Sequence, residues 1–240
     1  MEIPGVTKSV YQYLRDRIIT GGLPPGQKLN ENQLASLLDI SRPPLREAFR
    51  ILEHEHLVVN IPRKGTYVAP ISTQDLQEVY HTRKMIECYA IELLRIKNMR
   101  DLPQVAAALD YTSDLSVPEP TSENPEDRLN YLMAFADFHV KLVEAAGNSR
   151  LIHFYDIISS NLARYQFMYV YLPGLTRNSQ EEHHQILDYI ASGAYDHAKE
   201  HLETHIDYFI ELLEPKITQE ASKDAAIGAM NGDEIIGVFR

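Results

Sequence analysis

The chain has 240 residues, of which 34 are acidic and 23 basic, for a formal net charge of −11. Apolar residues make up 44% and charged residues 24%, an ordinary globular mixture with room for two modest domains or one large one. The one cysteine, Cys88, excludes an internal disulfide and fits a reducing, cytoplasmic setting, and no apolar run approaches the ~20 residues of a membrane span, which speaks against export and membrane insertion.

The charge is unevenly shared. Residues 1–70 carry nine Lys or Arg and seven Asp or Glu, which makes this stretch net +2 and the remainder net −13. Such a division predicts two units with different partners, and only the first has the charge to hold nucleic acid. Within it, Val10, Tyr11, Leu14 and Ile18 fall at helical spacing over residues 9–20. GGLPPGQ (21–27) ends that helix with paired Gly and paired Pro. NENQLASLLDI (30–40) offers Asn30 as N-cap and Leu34, Leu37 and Leu38 as an inward stripe. A further helix starts near Ser41, which can cap it, and Pro43 and Pro44 are tolerated only in its first turn. Leu45, Ala48, Phe49 and Leu52 form its apolar face. Two helices joined by a tight turn make a helix-turn-helix. Val58–Val59 and Thr66–Val68 then read as short strands joined by IPRKG (61–65), a hairpin wing. The predicted first domain, residues 1–72, is a winged helix-turn-helix.

Arg42, Arg46 and Arg50 recur every four residues along the second of these helices. Residues so spaced drift only ~40° per step round a helix, so the three share a face, away from the apolar one. The planar arginine fork suits phosphates and guanine edges, and a recognition helix presents its first turns to the major groove. Arg63 and Lys64 beside Gly65 make the wing basic as well, with a residue that lets backbone approach DNA closely. The competing reading is a solvated helix face whose arginines pair with Glu47 and Glu53. The preceding helix, the cap and the basic wing favour DNA.

From Asp75 onward the pattern is helical, over roughly 74–97, 101–113, 127–146, 149–170, 177–192 and 194–214. This predicts an all-α bundle of about six helices, residues 73–216, with SVPEPTSENPED (116–127) as an exposed loop. The Gly-interrupted segment 217–240 is a weakly patterned tail, either mobile or packed on a partner. Three histidines of the bundle stand out. His139 has Phe135, Leu142 and Val143 at helical spacing, His183 has Ile186, Leu187 and Ile190, and His205 has Leu202 and Phe209. Each therefore lies on the apolar side of its own helix. One inward histidine is ordinarily a hydrogen-bonded core residue, whereas three on separate helices can converge on a divalent metal, for which imidazole favours Zn, Ni, Cu or Fe. No HExxH pair and no inward carboxylate is evident beside them.

LPPGQKLNENQLA (23–35) and SRPPLREAFRIL (41–52), with the wing after them, resemble the DNA-binding domain of the GntR family of bacterial transcription regulators. The resemblance carries Ser41, Arg42, Pro44, Arg46 and Gly65, and with Arg50, Arg63 and Lys64 from the helix and wing pattern, and Asn32 of the preceding helix, these form the expected operator contact. The chain departs from the family at Pro43, where Thr is common, at Asn32, where some relatives have a basic residue, and at His56, where Gly usually follows the recognition helix. RKMIE (83–87), FHVKLVEAAGN (138–148), EHHQIL (182–187) and HI (205–206) are similar to the FCD effector domain of the FadR subfamily. That similarity implies a metal held by one Asp and three His, the latter matching His139, His183 and His205. The Asp position is Phe135 here, and Asp137 lies ~200° round the helix from His139. The metal would then rest on three His with water or a ligand carboxylate, or the pocket is metal-free. Arg83 matches an arginine of the first effector-domain helix and suits an anionic effector, with Arg164 as a second candidate; the alternative for Arg83 is an i,i+4 pair with Glu87.

The expected function is a ligand-responsive regulator, in the first instance a repressor, that binds a near-palindromic operator as a homodimer and takes an organic acid in its helical domain. Two other classes compete. A metal-dependent helical hydrolase needs an acid or base carboxylate at the three-His site and leaves the winged head unexplained. A DNA-architectural protein needs no polar interior pocket.

Overall fold

In the computed structural model, which describes residues 5–113, 115, 125–169 and 175–231, the first helix, α1 (Gly5–Ile19), turns Val10, Leu14 and Ile18 onto the shared core of the head. α2 (Glu31–Leu37) starts at Asn30, whose side chain accepts from the backbone N–H groups of Asn32 and Gln33, as a capping Asn should. α3 (Arg42–His54) starts at Ser41, with prolines confined to its first turn. The Ser41 side chain makes no capping hydrogen bond, so this residue serves by its extended backbone alone. Leu45, Ala48, Phe49 and Leu52 are buried, on one side of α3.

The wing is β2 (Val58–Ile61) and β3 (Gly65–Val68), antiparallel, with Ile61 opposite Gly65. A strand not expected from sequence, β1 (Lys28–Leu29), pairs with the other edge of β3, giving the order β1-β3-β2. Two residues are too few to show a period of two, so the pattern could not reveal it.

The helical domain consists of α4 (Thr73–Ile96), α5 (Pro103–Ser113), α6 (Pro125–Ala145), α7 (Ser149–Tyr169), α8 (Leu175–Ser192) and α9 (Tyr195–Asn231). Ser72 caps α4 by accepting from the Asp75 N–H. The bundle has its own core, which includes Leu76, Ile86, Phe138, Leu142, Ile190 and Leu202. Of the expected loop, residues 116–124 lie outside the described residues and 125–127 open α6. α9 does not stop near 214 but passes through Pro215 to Asn231. An internal proline costs ~3 kcal/mol. Leu213 and Ile217, buried on either side of it, each recover ~1.5–3 kcal/mol by burial, which offsets that cost. Residues 232–240 lie outside the described residues. No helix among the described residues is long and apolar enough to cross a membrane.

Candidate functional site

α3 projects Arg42, Arg46 and Arg50 outward while its opposite side is sealed in the core. Arg42 Nη1 donates to Asn32 Oδ1 at 3.4 Å, which ties the starts of α3 and α2 together. Lys28, Asn32, Arg42, Asn60 and Gly65 line one open groove, so strand β1, both helix starts and the wing meet on a single face. Arg46 and Arg50 line the recess beside it. Arg63 and Lys64 are exposed at the wing tip, where Arg63 takes φ +66° and Gly65 takes φ +108°. Ser41 is exposed and Pro44 half-buried at the start of α3. Lys28 and Asn60 were not among the sequence candidates; only β1 and the hairpin register bring them in.

Two arginines on this face are paired. Arg46 Nε lies 2.9 Å from Glu31 Oε2, and Arg50 Nη1 lies 3.3 Å from Glu47 Oε2. Their side chains are 58% and 76% exposed. Exposed pairs of this kind are worth only about 0–1 kcal/mol, so the guanidinium groups can exchange these partners for phosphates or base edges at small cost.

In the bundle, His139 from α6, His183 from α8 and His205 from α9 are buried together, with ligand atoms all within 4.8 Å of one another. His183 Nε2 and His205 Nε2 are 3.3 Å apart. Two imidazole nitrogens on one tetrahedral zinc stand about 3.4 Å apart, given Zn–N bonds of about 2.1 Å. His139 Nδ1 lies 2.7 Å from Glu87 Oε2, and His205 Nδ1 lies 2.5 Å from Glu182 Oε2. Each carboxylate can accept a hydrogen bond from Nδ1–H, which leaves Nε2 with a lone pair for a metal, the outer arrangement typical of metal-binding histidine. The three His could hold a metal. Burial, then the Arg83 charge, pushes His139 down to about 3 against the pull of Glu87. Burial likewise lowers His183 and His205. Each shift is in the direction that favours the neutral imidazole a metal binds. Phe135 lines this pocket with Leu132 and Phe209. Asp137 does not; it lies on another cavity and 3.9 Å from Lys141.

Glu87 corrects the expectation that no carboxylate points inward beside the histidines. It is fully buried, and three groups hold it: Arg83 Nε at 2.7 Å, His139 Nδ1 at 2.7 Å and the Tyr155 hydroxyl at 2.9 Å. Burial alone would raise its pKa; His139 and Arg83 outweigh that and hold it well below the usual carboxylate range. The i,i+4 pairing of Arg83 with Glu87 is thus real, yet Arg83 Nη1 is buried with no hydrogen-bond partner among the described residues. The signal was present in the spacing: Leu76, Tyr80, Arg83, Glu87, Ala90, Ile91 and Leu94 form one buried stripe of α4. So fully engaged a carboxylate is no free acid or base, which removes the group that a hydrolase would require.

Two cavities adjoin His139 and Gln166. The histidine pocket has a volume of about 30 Å³. The second, about 180 Å³, lies between α4, α6 and α7 and is lined by Arg83, Ala136, Val140, Tyr155, Leu162 and Ala163 among others. Arg164 lines neither. Its Nη2 donates to the Ala69 carbonyl at 2.5 Å, at the junction with the head, and burial pulls its pKa down to about 10.

That junction runs along α7. Glu55, just past α3, accepts from the Tyr11 hydroxyl at 2.6 Å and from the Ser160 hydroxyl at 3.1 Å. Asn161 Nδ2 donates to the Glu55 carbonyl at 2.5 Å, and Arg15 Nε donates to Ser160 Oγ at 2.8 Å. Ile19 of α1 packs with Leu129, Leu132, Ala163 and Phe167 of the bundle. Nothing in the local pattern marks these residues, because the contacts join positions some 100 apart in sequence.

Two family models match the chain. Residues 6–68 match the family described as bacterial regulatory proteins, gntR family, and residues 78–208 match the FCD domain. YdhC of Bacillus subtilis, an HTH-type transcriptional regulator, is 26% identical over 204 residues, 85% of this chain and 88% of its own length. GlaR of Escherichia coli, an HTH-type transcriptional repressor, is 27% identical over 175 residues, 72% of this chain and 78% of its own. The crystal structure of a GntR transcriptional regulator from Rhodococcus sp. RHA1 is 26% identical and superposes with a TM-score of 0.66, covering 86% of this chain and 96% of that one.

Proposed function

Because the chain belongs to the GntR family of bacterial transcription regulators and carries an FCD effector domain, we propose that it is a cytoplasmic, ligand-responsive repressor that releases operator DNA when a small organic acid enters the helical domain. It is a transcription regulator and not an enzyme. The observation that carries the proposal is the outward arginine row of α3 beside a basic wing. On this reading Arg42, Arg46 and Arg50 enter the major groove and Arg63 and Lys64 meet the flanking phosphates. Asn32, Ser41, Pro44 and Gly65 shape the contact. The repressor named GlaR supports the direction of control.

A homodimer places two such helices about 34 Å apart, on successive major grooves of a palindromic site. Met85, Tyr89 and Ile96, exposed along α4, favour association through the helical domain. His139, His183 and His205 hold a divalent ion, Zn or Ni by ligand type, which would fix the relative positions of α6, α8 and α9. Arg83 meets the effector. Arg164 acts at the head–bundle junction instead.

Operator affinity tests the DNA reading. Arg46→Ala should weaken binding by about tenfold to a hundredfold while the bundle stays folded; unchanged affinity would refute the placement of α3. For the metal, elemental analysis of protein purified without chelator should find close to one ion per chain, lost in His183→Ala. A metal-free wild type would end the metal reading alone.

A further inference from the structure

We propose that Glu55 is a positioning residue for DNA binding: it sets the angle of α3 against the helical domain, so that a dimer accepts only one spacing between its two operator half-sites. The proposal rests on the dimeric regulator described above and assigns the group that fixes its geometry.

Apolar packing does not set that angle. The head and the bundle have separate cores. Among the described residues, the cluster that bridges them draws a single buried head residue, Ile19. Domains that share so little apolar surface are expected to move against each other. Burial is also non-directional, so one side chain in a greasy seat leaves rotation open. Hydrogen bonds are directional and weaken steeply off line, so the angle is left to them.

Glu55 gathers those bonds. It is the C-cap of α3, and both its side chain and its main chain are engaged. One carboxylate oxygen accepts from the Tyr11 hydroxyl of α1 at 2.6 Å and the other from the Ser160 hydroxyl of α7 at 3.1 Å. Its carbonyl is one of those that a helix end leaves open, and Asn161 Nδ2 of α7 donates to it at 2.5 Å. Ser160 and Asn161 are 2% and 3% exposed. A serine hydroxyl has one proton to give. Ser160 gives it to Glu55, and its oxygen accepts from Arg15 Nε at 2.8 Å.

These bonds close a ring. Tyr11 joins α1 to α3, Ser160 joins α3 to α7, and Arg15 joins α7 back to α1. Tyr11 and Arg15 are four residues apart, on one face of α1. Burial, then the bond to Glu55, raises the Tyr11 pKa well above its ordinary value, so the phenol keeps the proton that it donates. One turn further along α7, Arg164 donates to the Ala69 carbonyl and Tyr165 to Asp75 and the Ser72 carbonyl. Those bonds tether the segment between the domains. The Glu55 ring orients α3 itself.

The test uses the full chain and the duplexes that it enriches from a random-sequence DNA library, remade with one or two base pairs added between the half-sites. Each added pair turns the second half-site by ~34°. The wild type should lose at least about tenfold in affinity for one added pair. Ser160→Ala combined with Asn161→Ala cuts α7 from Glu55 and leaves the Tyr11 bond inside the head. This variant should lose no more than about threefold for the same insertion. A merely structural role would lower affinity alike at every spacing and leave that ratio at its wild-type value. Circular dichroism checks the fold. Glu55→Gln, close in shape but with one acceptor oxygen fewer, flattens the same profile and serves where the double variant does not fold. A folded variant with the wild-type ratio overturns the proposal, as does a wild type that tolerates the insertion; in both cases the regulator reading stands. If the wild type enriches no duplex at all, the regulator reading falls and the proposal falls with it.

Discussion

The head and the bundle put their charged side chains in opposite places. On the head, Arg42, Arg46 and Arg50 stand in solvent, two of them loosely paired with Glu31 and Glu47. In the bundle, Arg83, Glu87 and three histidines are buried, and Glu87 has three hydrogen-bonding partners within 2.9 Å. A charge that must be given to DNA has to be cheap to detach, so it is kept wet and weakly held. A charge that shapes a pocket must not move, so it is dried and held by neighbouring charges and hydrogen bonds. The same residue types therefore serve exchange in one half and fixation in the other.

The sharpest way to break this contrast is to remove one carboxylate from each half. Glu87→Ala leaves Arg83 charged and unpaired in the interior and should cost about 3–5 kcal/mol, enough to unfold much of the bundle; urea denaturation measures it, and a loss under about 1 kcal/mol would show that the interior pair is no anchor. Arg46→Ala ranks next, at about 1–3 kcal/mol of operator affinity with stability nearly unchanged, read by fluorescence anisotropy on labelled operator DNA. His56 is left-handed at φ +57° just past α3, so His56→Gly should gain up to about 1 kcal/mol in the same denaturation assay. Glu31→Gln is the smallest, within about 1 kcal/mol of stability, and it should tighten DNA binding by freeing Arg46. If Glu31→Gln proved as damaging as Glu87→Ala, the distinction between the halves would fail.

Much of the head was legible because its signals are local. The Asn30 cap, the apolar face of α3 and the arginine row all lie within a few turns of chain. Strand β1 was not, since two residues carry no period. In the bundle, the inward faces of His139, His183 and His205 could be read from spacing, and their convergence is seen only once α6, α8 and α9 pack. Glu87 was read only as the i,i+4 alternative partner of Arg83, because a charged residue on a buried stripe contradicts the ordinary pattern, and its contact with His139 is seen only once α4 and α6 pack. Arg164, the second effector candidate, is sent by long-range packing to the Ala69 carbonyl. The end of α9 was set too early, because Pro215 reads as a stop where tertiary burial of Leu213 and Ile217 carries the helix on.

The grip of Glu55 on Tyr11, Ser160 and Asn161 has a mechanical consequence. It fastens the carboxyl end of α3, whereas Arg42 rides at the opposite end of that 13-residue rod. At 1.5 Å per residue the rod is about 20 Å long, so a swing of ~10° about the fastened end would carry Arg42 some ~3 Å sideways. Guanidinium-to-base bonding tolerates far less than that. A barely perceptible tilt beside the bundle is therefore amplified into a misfit at the far tip, and the lever needs no unfolding to let go of DNA.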